Sequence, residues 1–385
     1  MIAYICEQGA KVSREGRRLI VTTPEMKHTL FAERLEQLLL FGNVQLTPPA
    51  VFLLLREGID TVFLRRDGRY MGRLLSQESR NVFLRKKQFA LAEDGEFCTR
   101  TARRIVQGKL LNQATLLARV KRSRNQPAAG TAARELRQLA AKAEEARSVE
   151  SLRGLEGSGA ALYFRHFSLA FNKDWGFTRR VRRPPTDPVN AVLSLLYTLL
   201  INRCCAAVQL AGLDPYPACL HEAAYGRQSL PLALVEEFRA MLADALTISL
   251  FNMNMLHADD FETPAPEGAP ESAEEEREDA MTAVLRDPIG RMSPGNVVPD
   301  ASDLPGRQFD AAPTESPPPE KRPLLLRGPA CKKVLTAFSQ KLESEFFHPL
   351  AERHMSYADA IVFQARLYRR LIEGEVTEYS PLMLR

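Results

Sequence analysis

Residues 184–213 read PPTDPVNAVLSLLYTLLINRCCAAVQLAGL and form the longest apolar region of the chain. The prolines at its start predict a loop, and Thr186 or Asp187 can cap a helix that begins at Pro188. Polar residues interrupt the apolar run at Ser194, Asn202, Arg203 and Gln209. No uninterrupted run therefore reaches the ~20 apolar residues that a bilayer span needs. We predict a buried core helix here and no membrane association.

The sequence on both sides of this region has the periodicity of helices. From residue 81 onwards apolar residues recur at helical spacing, and Ala, Leu, Arg and Gln are frequent. The predicted helices cover residues 83–93, 94–120, 131–148 and 149–171 before the region, and 229–255, 331–345 and 357–372 after it. This pattern predicts an all-α C-terminal domain of residues 81–263 plus 322–385.

The first 80 residues have a pattern that is typical of short β-strands. Alternating or β-branched runs lie at Ile2–Cys6, Arg18–Thr22, Asn43–Leu46, Thr61–Arg65 and Tyr70–Leu75. Asp67-Gly68 predicts a hairpin between the last two runs. One helix opens at Pro48-Pro49 and extends through Leu55. We therefore predict an α+β protein with a small, β-sandwich-like N-terminal domain of residues 1–80.

Residues 264–321 differ in composition from the rest of the chain. Eleven prolines lie between Pro264 and Pro319, and aromatic residues are scarce. Such a segment cannot bury enough apolar surface to offset the loss of chain entropy on folding. We predict a disordered, acidic and proline-rich insertion.

The charge of the chain is distributed unevenly. Residues 258–320 carry 16 acidic and 4 basic residues, a net charge of −12, whereas the whole chain carries +5. The remainder therefore carries +17, because +5 minus −12 is +17. A charge of this size favours a polyanionic partner such as nucleic acid over a small-molecule substrate.

The cysteines and the N-terminal residues indicate the cellular compartment. The six cysteines include no Cys-x-x-Cys pair, and residues 1–7 show neither a basic leader nor a cleavage site. We expect reduced thiols, no thiolate metal site and a cytoplasmic protein.

Three side chains are candidate metal ligands, each within a short motif. They are Glu156 in RGLEG, His221 in LHE and Glu236 in LVEEFR. Two carboxylates and a neutral imidazole suit Mg²⁺ or Mn²⁺. The basic run Arg179–Arg183 lies between the first two motifs, and a basic strip beside such an ion indicates phosphodiester chemistry on nucleic acid.

Motifs along nearly the whole chain resemble the CRISPR adaptation integrase family, whose members insert new spacers into the repeat array. In chain order, outside residues 264–321, these motifs are DGRY at 67–70, LEG at 155–157, YF at 163–164, RRPPTDPVN at 182–190, LS at 193–194, Tyr197, GLDPY at 212–216, LH at 220–221, GRQSL at 226–230, EEFR at 236–239 and QAR at 364–366. Each motif alone is weak, but the ordered set is specific.

The resemblance implies an N-terminal β-domain, an all-α C-terminal domain and a metal ion held by Glu156, His221 and Glu236. It also implies a prokaryotic homodimer, formed through the β-domain, that acts on double-stranded DNA. The substrates would be foreign fragments and the CRISPR repeat. The expected partners are a small dimeric CRISPR-associated adaptation protein and an end-trimming CRISPR-associated nuclease.

The chain departs from the family pattern at two places. Ala233 stands where the family often has an additional Asp, which puts an auxiliary carboxylate in doubt. The insertion replaces a short link, which puts regulation in doubt.

Further residues are candidates for contacts with DNA. They are Arg179, Arg180, Arg182, Arg183, Arg239, Tyr163 and Tyr197. For the tyrosines, packing in the core is an equally good interpretation. Glu237 competes with Glu236 as the ligand, but neighbouring helical residues point about 100° apart, so only one of them can face the ion.

Two other functions remain open from the sequence. A DNA-binding scaffold could keep the fold without chemistry, as Ala233 suggests. A metal-dependent hydrolase of small phosphoesters is the second, although it would not require +17 on the folded part. Metal-dependent cleavage of branched DNA separates the scaffold from the enzyme, and salt-dependent DNA binding separates the polynucleotide enzyme from the hydrolase.

Overall fold

The computed structural model describes residues 1–74, 81–181, 184–221, 226–263 and 324–384. A strand-rich N-terminal region precedes a helical C-terminal region, which confirms the α+β prediction. Residues 264–321, the predicted disordered insertion, lie outside the described residues. So do residues 75–80, where we placed the domain boundary, which stays a prediction.

Residues 1–74 form two four-stranded sheets. One sheet contains, in spatial order, β1 (Ile2–Ile5), β5 (Gln37–Phe41), β7 (Asp60–Leu64) and β8 (Tyr70–Leu74). The other contains β4 (Lys27–Phe31), β3 (Arg18–Thr22), β2 (Lys11–Glu15) and β6 (Gln45–Leu46). Side chains from both sheets and from α1 (Pro48–Arg56) form one core. This arrangement is sandwich-like.

Three of these strands, β2, β4 and β5, were not predicted from the sequence. Strands β2 and β4 are mostly polar and exposed, so they carry little apolar signal. Strand β5 is buried throughout, and its apolar run lacks the alternation of a half-buried strand. Leu38 and Leu40 join the core between the sheets, whereas Leu39 and Phe41 join the core of the helical region.

Ten α-helices are described, nine of them after residue 81. Those nine are α2 (Val82–Glu93), α3 (Gly95–Arg124), α4 (Pro127–Glu145), α5 (Val149–Phe167), α6 (Pro188–Leu210), α7 (Ser229–Phe238), α8 (Ala245–Asn252), α9 (Gly328–Glu343) and α10 (Tyr357–Glu373). The side chain of Asp187 caps α6 by accepting a 2.8 Å hydrogen bond from the amide of Asn190. Helix α6 is long and apolar enough to span a bilayer, but 78% of its most apolar window is buried in the protein. It is therefore placed as a core helix.

The helical region departs from the prediction in two respects. The single helix predicted over residues 229–255 is divided by a π-helical segment, Arg239–Asp244, that lies between α7 and α8. The region is also not purely α, because it contains two short antiparallel pairs. These are β9 (Phe261–Glu262) with β10 (Leu325–Leu326), and β11 (Glu345–His348) with β12 (Arg353–Ser356).

Candidate active site

Two of the three predicted metal ligands meet at a lysine. Glu156 lies on α5 and Glu236 on α7, and Lys109 lies between them on α3. The Lys109 ammonium donates a hydrogen bond to Glu156 Oε1 and lies 2.8 Å from Glu236 Oε2. Only 5% of the Lys109 side chain is exposed. Three helices that are distant in sequence therefore bring two carboxylates to one buried cation.

The close approach of α5 to α3 depends on a glycine one turn after Glu156. A Cβ atom on Gly159 would overlap Leu110 Cδ2 on α3. Leu110 directly follows Lys109 in the chain. The missing side chain at Gly159 thus lets α5 pack near enough for Glu156 to reach Lys109.

Glu236 is held as a buried anion. Its Oε1 lies 3.0 Å from Arg239 Nη1, one helical turn further along the chain. Burial raises the pKa of Glu236, but the charges of Arg239 and Lys109 outweigh it and lower the pKa to about 2. Glu236 is therefore ionised throughout the physiological pH range.

His221 lies close enough to Glu156 and Glu236 for their charges to change its pKa. Burial lowers its pKa and outweighs the charges of Glu236 and Glu156, which raise it. The backbone next to His221 is fixed by Arg153, whose guanidinium donates a 2.7 Å hydrogen bond to the carbonyl of Leu220. The neutral imidazole that results is the form that binds a metal ion.

Glu237 has different partners from those of Glu236. Its carboxylate accepts hydrogen bonds from the Tyr379 hydroxyl, from the Leu382 amide and, at 2.8 Å, from Gln364 Nε2. Burial raises its pKa to about 7, even though these hydrogen bonds lower it. Glu237 thus binds the C-terminal residues, whereas Glu236 joins Lys109 and Arg239.

The carboxylate oxygens of Glu156 and Glu236 that surround Lys109 are suitable ligands for a divalent cation. Glu236 Oε2 is buried and, apart from its ion pair with Lys109, has no hydrogen bond of acceptable geometry. Two carboxylates this close need a positive charge between them, which Lys109 supplies here and a metal ion could supply equally. Within the described residues no three His, Cys, Asp or Glu side chains already surround a common point.

The structure places the predicted DNA-contacting arginines in different surroundings. Arg179 is exposed. Arg180 is half-buried and donates hydrogen bonds to Asn190 Oδ1 and Ser194 Oγ on α6. Arg239 is largely buried against Glu236. Arg182 and Arg183 lie outside the described residues.

The two predicted tyrosines both bind a carboxylate that sequence analysis missed. Tyr163 is fully buried and donates a 2.9 Å hydrogen bond to Asp244 Oδ2. The DNA contact predicted for Tyr163 is therefore wrong, because packing of α5 against the core encloses its ring. Tyr197 is partly exposed, but its hydroxyl donates a 2.7 Å hydrogen bond to Asp244 Oδ1 rather than pointing to solvent.

Lys109 and Asp244 carried a signal in the sequence that could have identified them. Asp244 is the only charged residue between Ala240 and Leu250, within an apolar run. Lys109 lies on the buried face of α3, between the apolar residues Val106 and Leu110. Charged residues are almost never fully buried without a partner, so a lone charge on an apolar face indicates a buried interaction.

The chain is similar to CRISPR-associated proteins along nearly its whole length. The profile of the family described as CRISPR associated protein Cas1 matches residues 3–282. The CRISPR-associated endonuclease Cas1 3 of Thermus thermophilus is 31% identical over 100% of this chain and 97% of its own length. A CRISPR-associated exonuclease Cas4/endonuclease Cas1 fusion of Geobacter sulfurreducens is 29% identical, over 100% of this chain and 59% of the fusion.

Solved structures share the fold at lower sequence identity. A casposase bound to its integration product has a TM-score of 0.75 at 19% identity, over 98% of this chain and 92% of the other. A Cas1 protein from Thermotoga maritima has a TM-score of 0.73 at 19% identity, and the match covers 100% of this chain and 99% of the other chain. A Cas6-RT-Cas1–Cas2 complex has a TM-score of 0.74 at 21% identity, over 100% of this chain and 36% of that chain.

Proposed function

This chain belongs to the Cas1 family of CRISPR-associated proteins, and we propose that it is a divalent-metal-dependent DNA endonuclease and integrase of CRISPR adaptation. The observation that carries the proposal is the convergence of Glu156 and Glu236 on one buried cation, with a neutral His221 beside them. A buried carboxylate whose pKa is strongly lowered by neighbouring cations, as that of Glu236 is, is typical of catalytic sites.

The proposed reaction is a transesterification. The 3′-hydroxyl of an incoming fragment attacks a phosphodiester at the end of a repeat. A new P–O bond forms to the attacking oxygen, the existing P–O3′ bond breaks, and the proton of the attacking hydroxyl ends on the leaving 3′-oxygen. Water in place of the fragment gives strand cleavage, which is the endonuclease activity.

The side chains of the site have separate roles in this proposal. Glu156, His221 and Glu236 would hold Mg²⁺ or Mn²⁺, which when bound supplies a Lewis acid for the phosphodiester. Lys109 keeps the two carboxylates together, and Arg239 fixes Glu236 through its ion pair. Arg179, on the exposed segment that precedes α6, contributes a positive charge for the DNA backbone.

The partners follow from the names of similar proteins. One solved complex contains Cas1 with Cas2, and one curated relative is a fusion of Cas4 exonuclease with Cas1. We propose that this chain, as a cytoplasmic homodimer, binds a small Cas2-type dimer and receives fragments trimmed by a Cas4-type nuclease. Joining both fragment ends requires two separated active sites, which a homodimer on each side of the Cas2-type dimer provides.

The test is cleavage of branched DNA and integration into a supercoiled repeat plasmid, each with and without Mn²⁺ or Mg²⁺. His221→Ala should lower both activities at least ~100-fold, because the site loses one of three ligands. The melting temperature and the affinity for DNA should stay close to those of the wild type. Metal-dependent cleavage by His221→Ala at the wild-type rate would contradict the assignment.

The same experiment distinguishes the enzyme from a DNA-binding scaffold. A scaffold would bind DNA with strong salt dependence but would show no cleavage by the wild-type protein with either metal. Ala233, at the position of an additional family carboxylate, is the residue that keeps this second possibility open.

A further inference from the structure

Asp244 lies at the end of the π-helical segment and is only 1% exposed. Both of its carboxylate oxygens accept a phenol hydrogen bond, Oδ2 from Tyr163 on α5 and Oδ1 from Tyr197 on α6. A buried carboxylate is costly unless it is paired in this way. Asp244 is not part of the site at Lys109, so its burial needs another explanation.

The aromatic ring of Tyr197 contacts two guanidinium groups. Arg239 lies 5.0 Å and Arg180 5.2 Å from the ring centroid. Guanidinium groups within about 6 Å of a ring are attracted to its electron-rich face. The orientation of this ring therefore affects the positions of both arginines.

Each arginine leads from Tyr197 to a functional part of the molecule. Arg239 Nη1 lies 3.0 Å from Glu236 Oε1. Arg180 donates hydrogen bonds to Asn190 and Ser194 at the start of α6, and the Val181 amide donates to the same Asn190 side chain. Tyr197 thus connects the carboxylate site to the basic segment at residues 179–181.

The π-helical segment places Asp244 on the required side. Asp244 follows Glu236 by eight residues, which in an uninterrupted α-helix would leave the two side chains roughly 80° apart. A π-turn contains more residues per turn and therefore rotates less per residue. The segment Arg239–Asp244 turns Asp244 back towards the face that carries Glu236 and Arg239.

We propose that Asp244 and Tyr197 are positioning residues for the DNA reaction. Asp244 fixes the Tyr197 hydroxyl, the fixed ring holds Arg239 on Glu236, and the same ring holds Arg180, which is part of the basic segment. In this proposal both residues act on the reaction through the two arginines. The proposal rests on the proposed catalytic role of Glu236.

The first experiment compares two tyrosine variants that each remove one hydrogen bond from the same carboxylate. Tyr197→Phe keeps the ring but frees it from Asp244, whereas Tyr163→Phe, the matched control, removes the other phenol. The described contacts of Tyr163 are with the rings of Phe164 and Phe167 and with Asp244, not with an arginine. Cleavage of branched DNA is measured with Mn²⁺ together with the melting temperature.

Tyr197→Phe should lower kcat on the order of tenfold with little change in KM, because misplaced catalytic groups slow the reaction more than they weaken binding. Tyr163→Phe should lose a similar amount of thermal stability but keep kcat within about twofold of the wild type. Equal kcat values for the two variants would overturn the proposal.

The second experiment needs neither metal nor activity. Urea unfolding of metal-free protein is measured for Tyr197→Phe, Arg239→Met and the double variant, and for the matching set with Tyr163→Phe. The midpoint shifts of Tyr197→Phe and Arg239→Met should be non-additive, whereas those of Tyr163→Phe and Arg239→Met should add. Additive shifts in both sets would also overturn the proposal. If the wild-type protein is inactive but the midpoint shifts of Tyr197→Phe and Arg239→Met are non-additive, only the proposed catalytic function is refuted.

Discussion

Glu236 and Glu237 are neighbours in the chain but have different electrostatic surroundings. The pKa of Glu236 is lowered to about 2, because two cations outweigh the effect of its burial. The pKa of Glu237 is raised to about 7, because burial outweighs its neutral hydrogen-bond donors. A carboxylate that must stay ionised thus lies one residue from a carboxylate that accepts a proton near neutral pH.

Glutamine variants of the two residues should therefore behave differently. Glu236→Gln should lower integration at least ~100-fold, because the neutral amide cannot replace an anionic ligand. Glu237→Gln should retain most activity and lose about 1 kcal/mol of stability, because an amide still accepts from the Leu382 amide and Gln364. Integration assays and urea unfolding measure the two effects. A comparable loss of integration in both variants would mean that Glu237 also serves the reaction.

Asp244 should make the stability of the protein depend on pH. Burial raises its pKa from the ordinary value of 3.8 to about 6, against the opposing effects of the two phenols and of the arginines. The folded state thus binds a proton more tightly than the unfolded state. The stabilisation is complete below pH 3.8 and is lost as the pH rises through about 6.

Asp244→Asn should remove this dependence because an amide does not titrate. Between pH 4 and pH 7 the free energy of unfolding of the wild type should fall by ~2–3 kcal/mol relative to that of the variant. Urea unfolding at a series of pH values measures the difference in the free energy of unfolding between the two proteins. The contributions of the other titrating groups are the same in both proteins and cancel in this difference. Parallel curves for the two proteins would show that Asp244 keeps its ordinary pKa on folding.

At the scale of helices, the site depends on how closely α5 approaches α3. A Cβ atom on Gly159 would overlap Leu110 Cδ2, and Glu156 and Lys109 lie within one turn of this close approach. A side chain at Gly159 would push the helices apart or displace Leu110. The interaction between Glu156 and Lys109 would then weaken, although neither residue is changed.

Gly159→Ala should therefore destabilise the protein by about 1–2 kcal/mol, since overpacking outweighs the gain in helix propensity. Gly154→Ala is the matched control on the same helix, because a Cβ atom there meets nothing within 4 Å. It should be neutral or stabilise by up to ~1 kcal/mol. Thermal unfolding of both variants provides the comparison, and a stabilising Gly159→Ala would show that Leu110 moves aside without cost.

At the scale of the whole molecule, the insertion begins and ends at one place. Strands β9 and β10 flank it, and Glu262 pairs with Leu325 in antiparallel register. The Leu324 amide donates a 2.8 Å hydrogen bond to the Pro185 carbonyl, just before α6. A short linker can therefore replace the insertion without moving either strand.

We expect residues 264–321 to compete with DNA for the basic surface. Residues 258–320 carry −12 and belong to the same chain as residues that carry +17, so the effective concentration of the acidic segment at the basic surface should approach millimolar. Replacing residues 264–321 with a Gly/Ser linker should tighten binding of non-specific duplex DNA, most strongly at low salt. Fluorescence anisotropy at several salt concentrations measures the change. Unchanged affinity from low to moderate salt would leave the segment as a passive spacer.

The sequence by itself determined the fold class, the family and most helix positions. Helical periodicity is a local property, and the short motifs keep their chain order whatever their positions in space. Strand β5 was not predicted, because a strand that is buried on both faces lacks the alternation of apolar and polar residues that marks a half-buried strand.

Only the tertiary structure decided which side chains meet. Periodicity places Glu236 and Glu237 about 100° apart, but not which of them faces Lys109. The burial of Tyr163, the pairing of Tyr197 with Asp244 and the π-helical segment that turns Asp244 were likewise not visible in the sequence. The physical reason is that burial and charge pairing depend on helices that are distant in the chain, and each helix carries its periodicity without specifying its neighbours.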